Sequence, residues 1–196
     1  MCGSLSECRK KAALGLESDI ALALKELNFL DSRFNAVFTR RSSVTANGYD
    51  SICFMIATNP GEDLKPLAKI ASGGEMSRIM LAIKSALAEK DDIDSLIFDE
   101  IDTGISGRTA QMVAVKMHSI AASHQVICIT HLPQIAAMAD THFMIEKSAS
   151  DNRTKTTIKR LNEQESVCEL ARLLGGSELT EAVMANAREM RSAVHR

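Results

Sequence analysis

Two short apolar runs, "SLIFDE" and "VICITH", stand on either side of a helix-patterned stretch from Gly107 to Ala122. Nothing else in the sequence limits the fold as much. A strand buried on both faces reads as a continuous apolar run, and two such strands joined by a helix make the parallel βαβ unit. The expected class is therefore α/β, with helices flanking a mainly parallel sheet. Each run also ends on groups that carry chemistry. Asp99 and Glu100 close the first, and His131 closes the second. In open α/β sheets ligands collect beyond the carboxyl ends of parallel strands, so these three are candidate site residues.

Just upstream lies "KIASGGEMSRIMLAIKSAL", Lys69 to Leu87. Met76, Ile79, Met80, Ile83 and Leu87 recur at helical spacing, and Ser72, Gly73, Gly74 and Glu75 stand directly at the start of that helix. A helix start of this kind presents backbone N–H groups and the positive end of the dipole, which suits phosphate. Yet the lysine-bearing phosphate loop, G-x-x-x-x-G-K-[ST], occurs nowhere in the 196 residues. The sequence has a means of covering a phosphate and lacks the usual means of gripping one.

The remaining segments frame these motifs. Ser6 to Leu30 reads as a helix in which Ala13, Leu16, Ile20, Ala23, Leu27 and Leu30 form a 3-4-3-4-3 seam. From Phe34 to Thr58 the period becomes two, and Asn47-Gly48 between the apolar runs predicts an antiparallel hairpin with a tight turn. Ile52, Phe54 and Ile56 share one face of it, and "NPGEDLKP" then interrupts regular structure. "HFMIEK" and "TKTTIKRL" predict a second hairpin around "SASDNR". Two helices follow, Glu163 to Leu174 stopped by Gly175-Gly176, and Thr180 to Val194.

Composition excludes several classes. Apolar residues make up 45% of the chain, enough for a core, and a net charge of −2 gives no global field to draw in nucleic acid or anionic lipid. No run of 18 apolar residues and no leader pattern is present, so a membrane partner and secretion are not expected. Cys2, Cys8, Cys53, Cys128 and Cys168 are odd in number and lack a C-x-x-C pair, which fits reduced thiols in a cytoplasm. Cys128, inside "VICIT", is expected to act as a small buried hydrophobe.

Adjacent carboxylates at a strand end repel unless a cation or a reaction needs them. A Mg²⁺ ion held through water, together with phosphate oxygens, would suit Asp99, and Glu100 could then orient or deprotonate an attacking water. Taken singly, each motif has an ordinary structural explanation: a solvated strand end, a structural histidine, a flexible helix start. Their order within 60 residues is far more specific.

That order resembles the ABC-type ATPase heads: signature motif "SGGE" from Ser72 to Glu75, Walker B "LIFDE" from Leu96 to Glu100, a D-loop around Asp102, and switch histidine His131. The wording "LKPLAKIASGGEMSRIMLAIKSAL", "FDEIDTGISGRTA" and "ITHLPQIAAMADTHFMIEK" is similar to the RecN family of SMC-like DNA repair ATPases, from Arg9 to Arg191. The departure is the missing phosphate loop, which in that family precedes a long antiparallel coiled coil. "MCGS" at the start matches nothing in the family pattern.

The resemblance implies the C-terminal lobe of an ABC/SMC-type P-loop ATPase head. Residues 1–30 would be the end of a coiled-coil helix and residues 31–196 the lobe. The implied cofactors are ATP and Mg²⁺, bound only together with an N-terminal phosphate-loop half. Ser72, Gly73, Gly74 and Glu75 would then cap a γ-phosphate held by a second head, since a glycine lets the backbone approach closely. Asp99 would support Mg²⁺, Glu100 and His131 would be catalytic, and Asp102 would lie at the dimer seam. Implied partners are the phosphate-loop half, a second head and, for the intact protein, DNA at the nucleoid. This chain alone would be inactive. Two other readings stay open: another ABC-class subunit such as a transporter ATPase, and a non-catalytic interaction module. The basic residues Lys155, Lys159 and Arg160 read as a solvated face.

Overall fold

A computed structural model of the chain describes residues 1–88, 92–150, 153–176 and 178–194. These residues form two compact units. The first comprises Met1–Gly104 and Ser119–Cys128, and the second Ile105–His118 and Ile129–Arg196.

The first unit opens with α1, Cys2–Glu26, which packs on the hairpin of β1 (Arg33–Thr45) and β2 (Gly48–Ala57) and on α2 (Gly73–Leu87). Ile20, Ala23 and Leu27 of the expected seam are buried, and so is Leu24 beside them. The helix ends four residues earlier than its periodicity predicts. Asn28 takes a left-handed φ of 69°, its N–H bonds to the Lys25 carbonyl, and the Phe29 N–H reaches back to the Leu24 carbonyl. This is a Schellman-type stop, for which asparagine is one of few suitable residues, and it leaves Leu30 exposed. Near the other end the Ser6 hydroxyl donates to Asp50 at 2.8 Å, and Arg9 donates to Asp50 and to the Asn47 carbonyl. The Ser6 hydrogen bond, then Arg9, holds the Asp50 carboxyl below the usual carboxylate range.

The first hairpin forms as expected, with Thr45 paired to Gly48 and a two-residue loop between them. Gly48, at φ 88°, is left-handed and Asn47, expected beside it in the turn, is not; the Thr45 hydroxyl oxygen accepts from the Asn47 amide, and the hydroxyl donates to the Gly48 carbonyl. Of the expected shared face, Ile56 is fully buried, while Ile52 and Phe54 remain partly exposed. "NPGEDLKP" is not wholly irregular, since β3 (Lys65–Pro66) pairs with Met55 and Ile56 of β2, and a 3₁₀ turn at Leu67–Lys69 follows.

Strands β4 (Ser95–Phe98) and β5 (Gln125–Cys128) pair in parallel, in register from Ser95 opposite Gln125 to Phe98 opposite Cys128. The helix between them in sequence, α3, is Gly107–Ala121. The βαβ order therefore stands, but burial on both faces does not. Leu96 and Phe98 are buried, whereas Ile97 is 70% exposed and Ile127 is exposed on β5. With two strands and one apolar face covered, the continuous apolar run keeps an uncovered side. Parallel pairing among the described residues is confined to this pair, and the two hairpins are antiparallel.

In the second unit, β6 (Phe143–Ser150) and β7 (Arg153–Arg160) make the second hairpin, whose strands extend into the segment expected as a loop. Asp151 and Asn152 of that loop lie outside the described residues. A short helix that periodicity could not reveal, α4 (Pro133–Ala136), packs with α5 (Glu163–Gly175), which in turn packs with α6 (Glu181–Val194). Ala136, Ala137, Leu170, Ala171 and Ala187 are the buried centre of this cluster. Asn162 and Glu165 cap α5 reciprocally, and left-handed Gly176 ends it. Arg191 of α6 is only 5% exposed; it donates to the carbonyls of Ala137 and Ala139 and pairs with Glu163.

Candidate functional site

The site is built where the start of α2 meets the turn after β4. Ser72 is the N-cap of α2; its hydroxyl oxygen accepts from the Glu75 N–H at 3.4 Å and its carbonyl from the Met76 N–H at 3.0 Å. Ser72 and Gly73 are exposed, Gly74 is buried, and Glu75 places an acid in the first turn. Ile79, Leu81, Ala82 and Ile83 anchor the helix in the core of the unit.

Asp99 and Glu100 follow β4 and are both exposed, while Ile101 and Asp102 are buried behind them. The chain turns sharply here: Glu100 takes a left-handed φ of 57°, and Gly104 one of 75°. For a non-glycine residue such a backbone costs about 1–3 kcal/mol and persists only where its surroundings hold it. Those surroundings are specific. The Glu100 N–H donates to the Asp99 carboxylate at 2.9 Å, and the Thr103 N–H donates to the Glu100 carbonyl at 3.0 Å. From α2, the Ser77 hydroxyl donates to the Asp99 carbonyl at 2.8 Å. Arg78 donates to the carbonyls of Ile101 at 3.1 Å and Thr103 at 2.8 Å.

The glycines of the helix start have a reason within the same chain. A Cβ on Gly74 would stand 2.8 Å from the Glu100 carbonyl oxygen and 2.9 Å from the Thr103 side chain. A Cβ on Gly73 would collide with a carboxylate oxygen of Glu100. Glycine therefore allows α2 to close onto the acidic turn, which adds a constraint to the phosphate approach expected from the sequence. The Glu100 carboxylate lies beside the positive end of α2, a favourable place for an anion.

Of the residues singled out from the sequence, Ser72, Gly73, Gly74, Glu75, Asp99, Glu100 and Asp102 all fall in the first unit, and the glycines touch the acidic turn. His131 belongs to the second unit, exposed, three residues beyond the end of β5. There the Thr130 hydroxyl oxygen accepts from the Leu132 N–H and shapes the loop. Cys128 is half-buried, and its thiol is pushed up to about 12 by burial and then by the Asp102 and Asp99 charges. It stays a neutral thiol, as its apolar context suggests.

Among the described residues, no three His, Cys, Asp or Glu side chains gather into a metal cage. The donor set still fits Mg²⁺, which takes one or two carboxylates and completes its shell with water and substrate phosphate. Asp99 is the exposed carboxylate at the strand end that could serve this way. Sequence reasoning missed Ser77 and Arg78. They lie among the apolar positions Met76, Ile79 and Met80 of an amphipathic helix, so on periodicity alone they read as solvated polar residues.

No family model matches the chain. Curated relatives do. It is 45% identical over 202 residues to the DNA repair protein RecN of Bacillus subtilis, covering 95% of this chain and 35% of that protein. It is 43% identical to the DNA repair protein RecN of Haemophilus influenzae, covering 98% of this chain and 35% of that protein. Among solved structures, it aligns with the Smc head domain with a coiled coil and joint from Pyrococcus yayanosii at a TM-score of 0.58 and 20% identity, over 83% of this chain and 29% of that one. A chain from a study of ATP-driven dimerization and DNA-stimulated activation of SMC ATPases aligns at a TM-score of 0.53 and 18% identity, over 88% of this chain and 99% of that one. These structural likenesses show the fold, which is that of SMC head domains. Over 95% of its length the chain is a RecN-family sequence, spanning about 35% of the length of the relatives it matches.

Proposed function

We propose that this chain supplies the signature motif and the Walker B acids of a composite ATP site in an SMC-like DNA repair ATPase. The phosphate-loop portion, which these residues lack, would complete the site together with a second head. The observation that carries this reading is the assembly, in one unit, of an exposed Ser-Gly helix start with two exposed carboxylates at the end of a parallel strand. Ser72, Gly73, Gly74 and Glu75 would cover the γ-phosphate of a nucleotide held by the partner head, aided by the helix dipole. Asp99 would support Mg²⁺ through water, Glu100 would take a proton from the attacking water, His131 would reach the γ-phosphate region, and Asp102 would border the seam. Nucleotide, Mg²⁺, a second head, DNA and a cytoplasmic place at the nucleoid belong to the longer protein. Support comes from the naming of the relatives as DNA repair proteins and from the head-domain fold. No described helix is long and apolar enough to cross a membrane.

The exposed apolar face of β4–β5, with Ile97 and Ile127, would receive another portion of the head. Glu100 beside Gly73 favours a second reading, in which the helix start serves its own head's acids and no partner's nucleotide. One experiment separates them. In a chimaera carrying this sequence in place of the matching segment of the Bacillus subtilis relative, Ser72→Arg should block head closure and leave nucleotide loading intact. Mixing it with heads defective only in the phosphate loop should restore part of the ATP hydrolysis, because one mixed site is then whole. Loss of loading together with closure, and no recovery on mixing, would favour the second reading.

A further inference from the structure

The signature-bearing helix α2 holds its own chain's acidic turn by three main-chain carbonyls. Ser77 takes the carbonyl of Asp99, and Arg78 takes those of Ile101 and Thr103. The two Arg78 acceptors flank Asp102, and the turn they belong to begins at left-handed Glu100. Arg78 is half-buried, and burial lowers its pKa from the ordinary arginine value. Its guanidinium also lies 5.9 Å from the centre of the Phe29 ring, at the Schellman stop of α1. A planar guanidinium can serve two carbonyls and a ring face at once; an ammonium can serve these only in part.

We propose that Arg78 is a positioning residue that fixes Glu100 and Asp102 relative to Ser72 and links that geometry to the end of α1. The inference rests on the reading of Glu100 as the residue that acts on water. Its physical core is narrower: without Arg78, the turn has lost two of the hydrogen bonds that keep Glu100 in a costly backbone conformation. A displacement of about 1 Å at a reacting group can lower a rate by about 10²-fold. ATP would still bind, since Arg78 reaches main chain and an aromatic ring.

Two measurements test it. In the chain as it stands, Arg78→Met should raise amide hydrogen exchange across residues 100–104 by at least about tenfold, the response to loss of a local restraint. Exchange in α5 and α6 should stay unchanged. Arg78→Lys should fall between the two. In the chimaera, Arg78→Met should lower kcat by about 10–100-fold while KM for ATP changes by less than about threefold, and Arg78→Lys should recover part of kcat. Unchanged exchange at the turn, or a rise spread evenly over both units, would overturn the inference. So would a variant whose KM rises while kcat holds. A wild-type chimaera without ATPase activity would instead count against the proposed function, and the exchange result would still decide whether Arg78 holds the turn.

Discussion

Two arginines use the same chemistry in the two units of this chain, to different ends. Arg78 and Arg191 each donate to two backbone carbonyls, those of Ile101 and Thr103 in one case and of Ala137 and Ala139 in the other. Arg191 is almost fully buried, carries an ion pair with Glu163, and ties α6 to the end of α4 and the start of α5. Its surroundings are the alanine- and leucine-rich core of the second unit. Arg78 is half-buried over a ring and holds a left-handed acid that faces solvent. A buried arginine among helix ends is a fastener for the fold. The same group under an exposed, conformationally costly carboxylate holds a site in shape.

The largest effect is expected at Arg191. Arg191→Met keeps the length of the side chain and leaves the Ala137 and Ala139 carbonyls without their donor. Buried groups left unsatisfied cost about 1–3 kcal/mol each. A loss of about 3 kcal/mol in a urea titration is expected, with exchange at residues 100–104 unchanged below the transition. A loss under about 1 kcal/mol would show that Arg191 fastens nothing.

A smaller effect is expected where α2 meets the acidic turn. At Gly74 an added methyl meets backbone oxygen and the Thr103 side chain, so Gly74→Ala should destabilise the first unit by about 1–2 kcal/mol despite better helix propensity. At Gly73 it meets the movable end of Glu100 instead, so Gly73→Ala should change stability by under about 0.5 kcal/mol while displacing the acid. Equal effects of the two substitutions, read by thermal unfolding, would contradict the close packing of α2 on the turn.

The smallest expected effect is a pH dependence confined to the second unit. His142 Nδ1 lies 2.8 Å from the hydroxyl oxygen of buried Ser166, and burial lowers the imidazole pKa, against the pull of Glu169. The unfolded chain, with a histidine pKa near about 6.5, then binds more protons than the fold just below that pH. Stability should be full above pH 6.5 and should decline as pH falls through it toward the folded pKa. His142→Gln should flatten that part of the curve in urea midpoints between pH 7.5 and 5.5, and an identical decline in the variant would assign the effect to other groups.

Sequence alone made much of this chain legible, because local signals carry it. The N-cap serine before an apolar 3.6-period fixes α2, two alternating runs either side of a turn that ends on Gly48 fix the first hairpin, and Gly176 closes α5. The position of each candidate acid at the end of its apolar run follows from the same local grammar. Tertiary structure decided what local signals cannot encode. Asn28 stops α1 before the last seam position because a left-handed cap with two return hydrogen bonds outweighs one more apolar residue. Ile97 sits in an unbroken apolar run yet is exposed, since burial depends on what covers a face and not on the residue itself. Ser77 and Arg78 look like solvent-facing polar residues, and only the fold brings them to carbonyls more than twenty residues away. Gly73 and Gly74 read as glycines for a phosphate, and the close approach of the Glu100–Thr103 turn gives them a second duty. Periodicity reports one chain segment at a time, whereas a long-range hydrogen bond or a steric limit belongs to a pair of segments and exists only once both are in place.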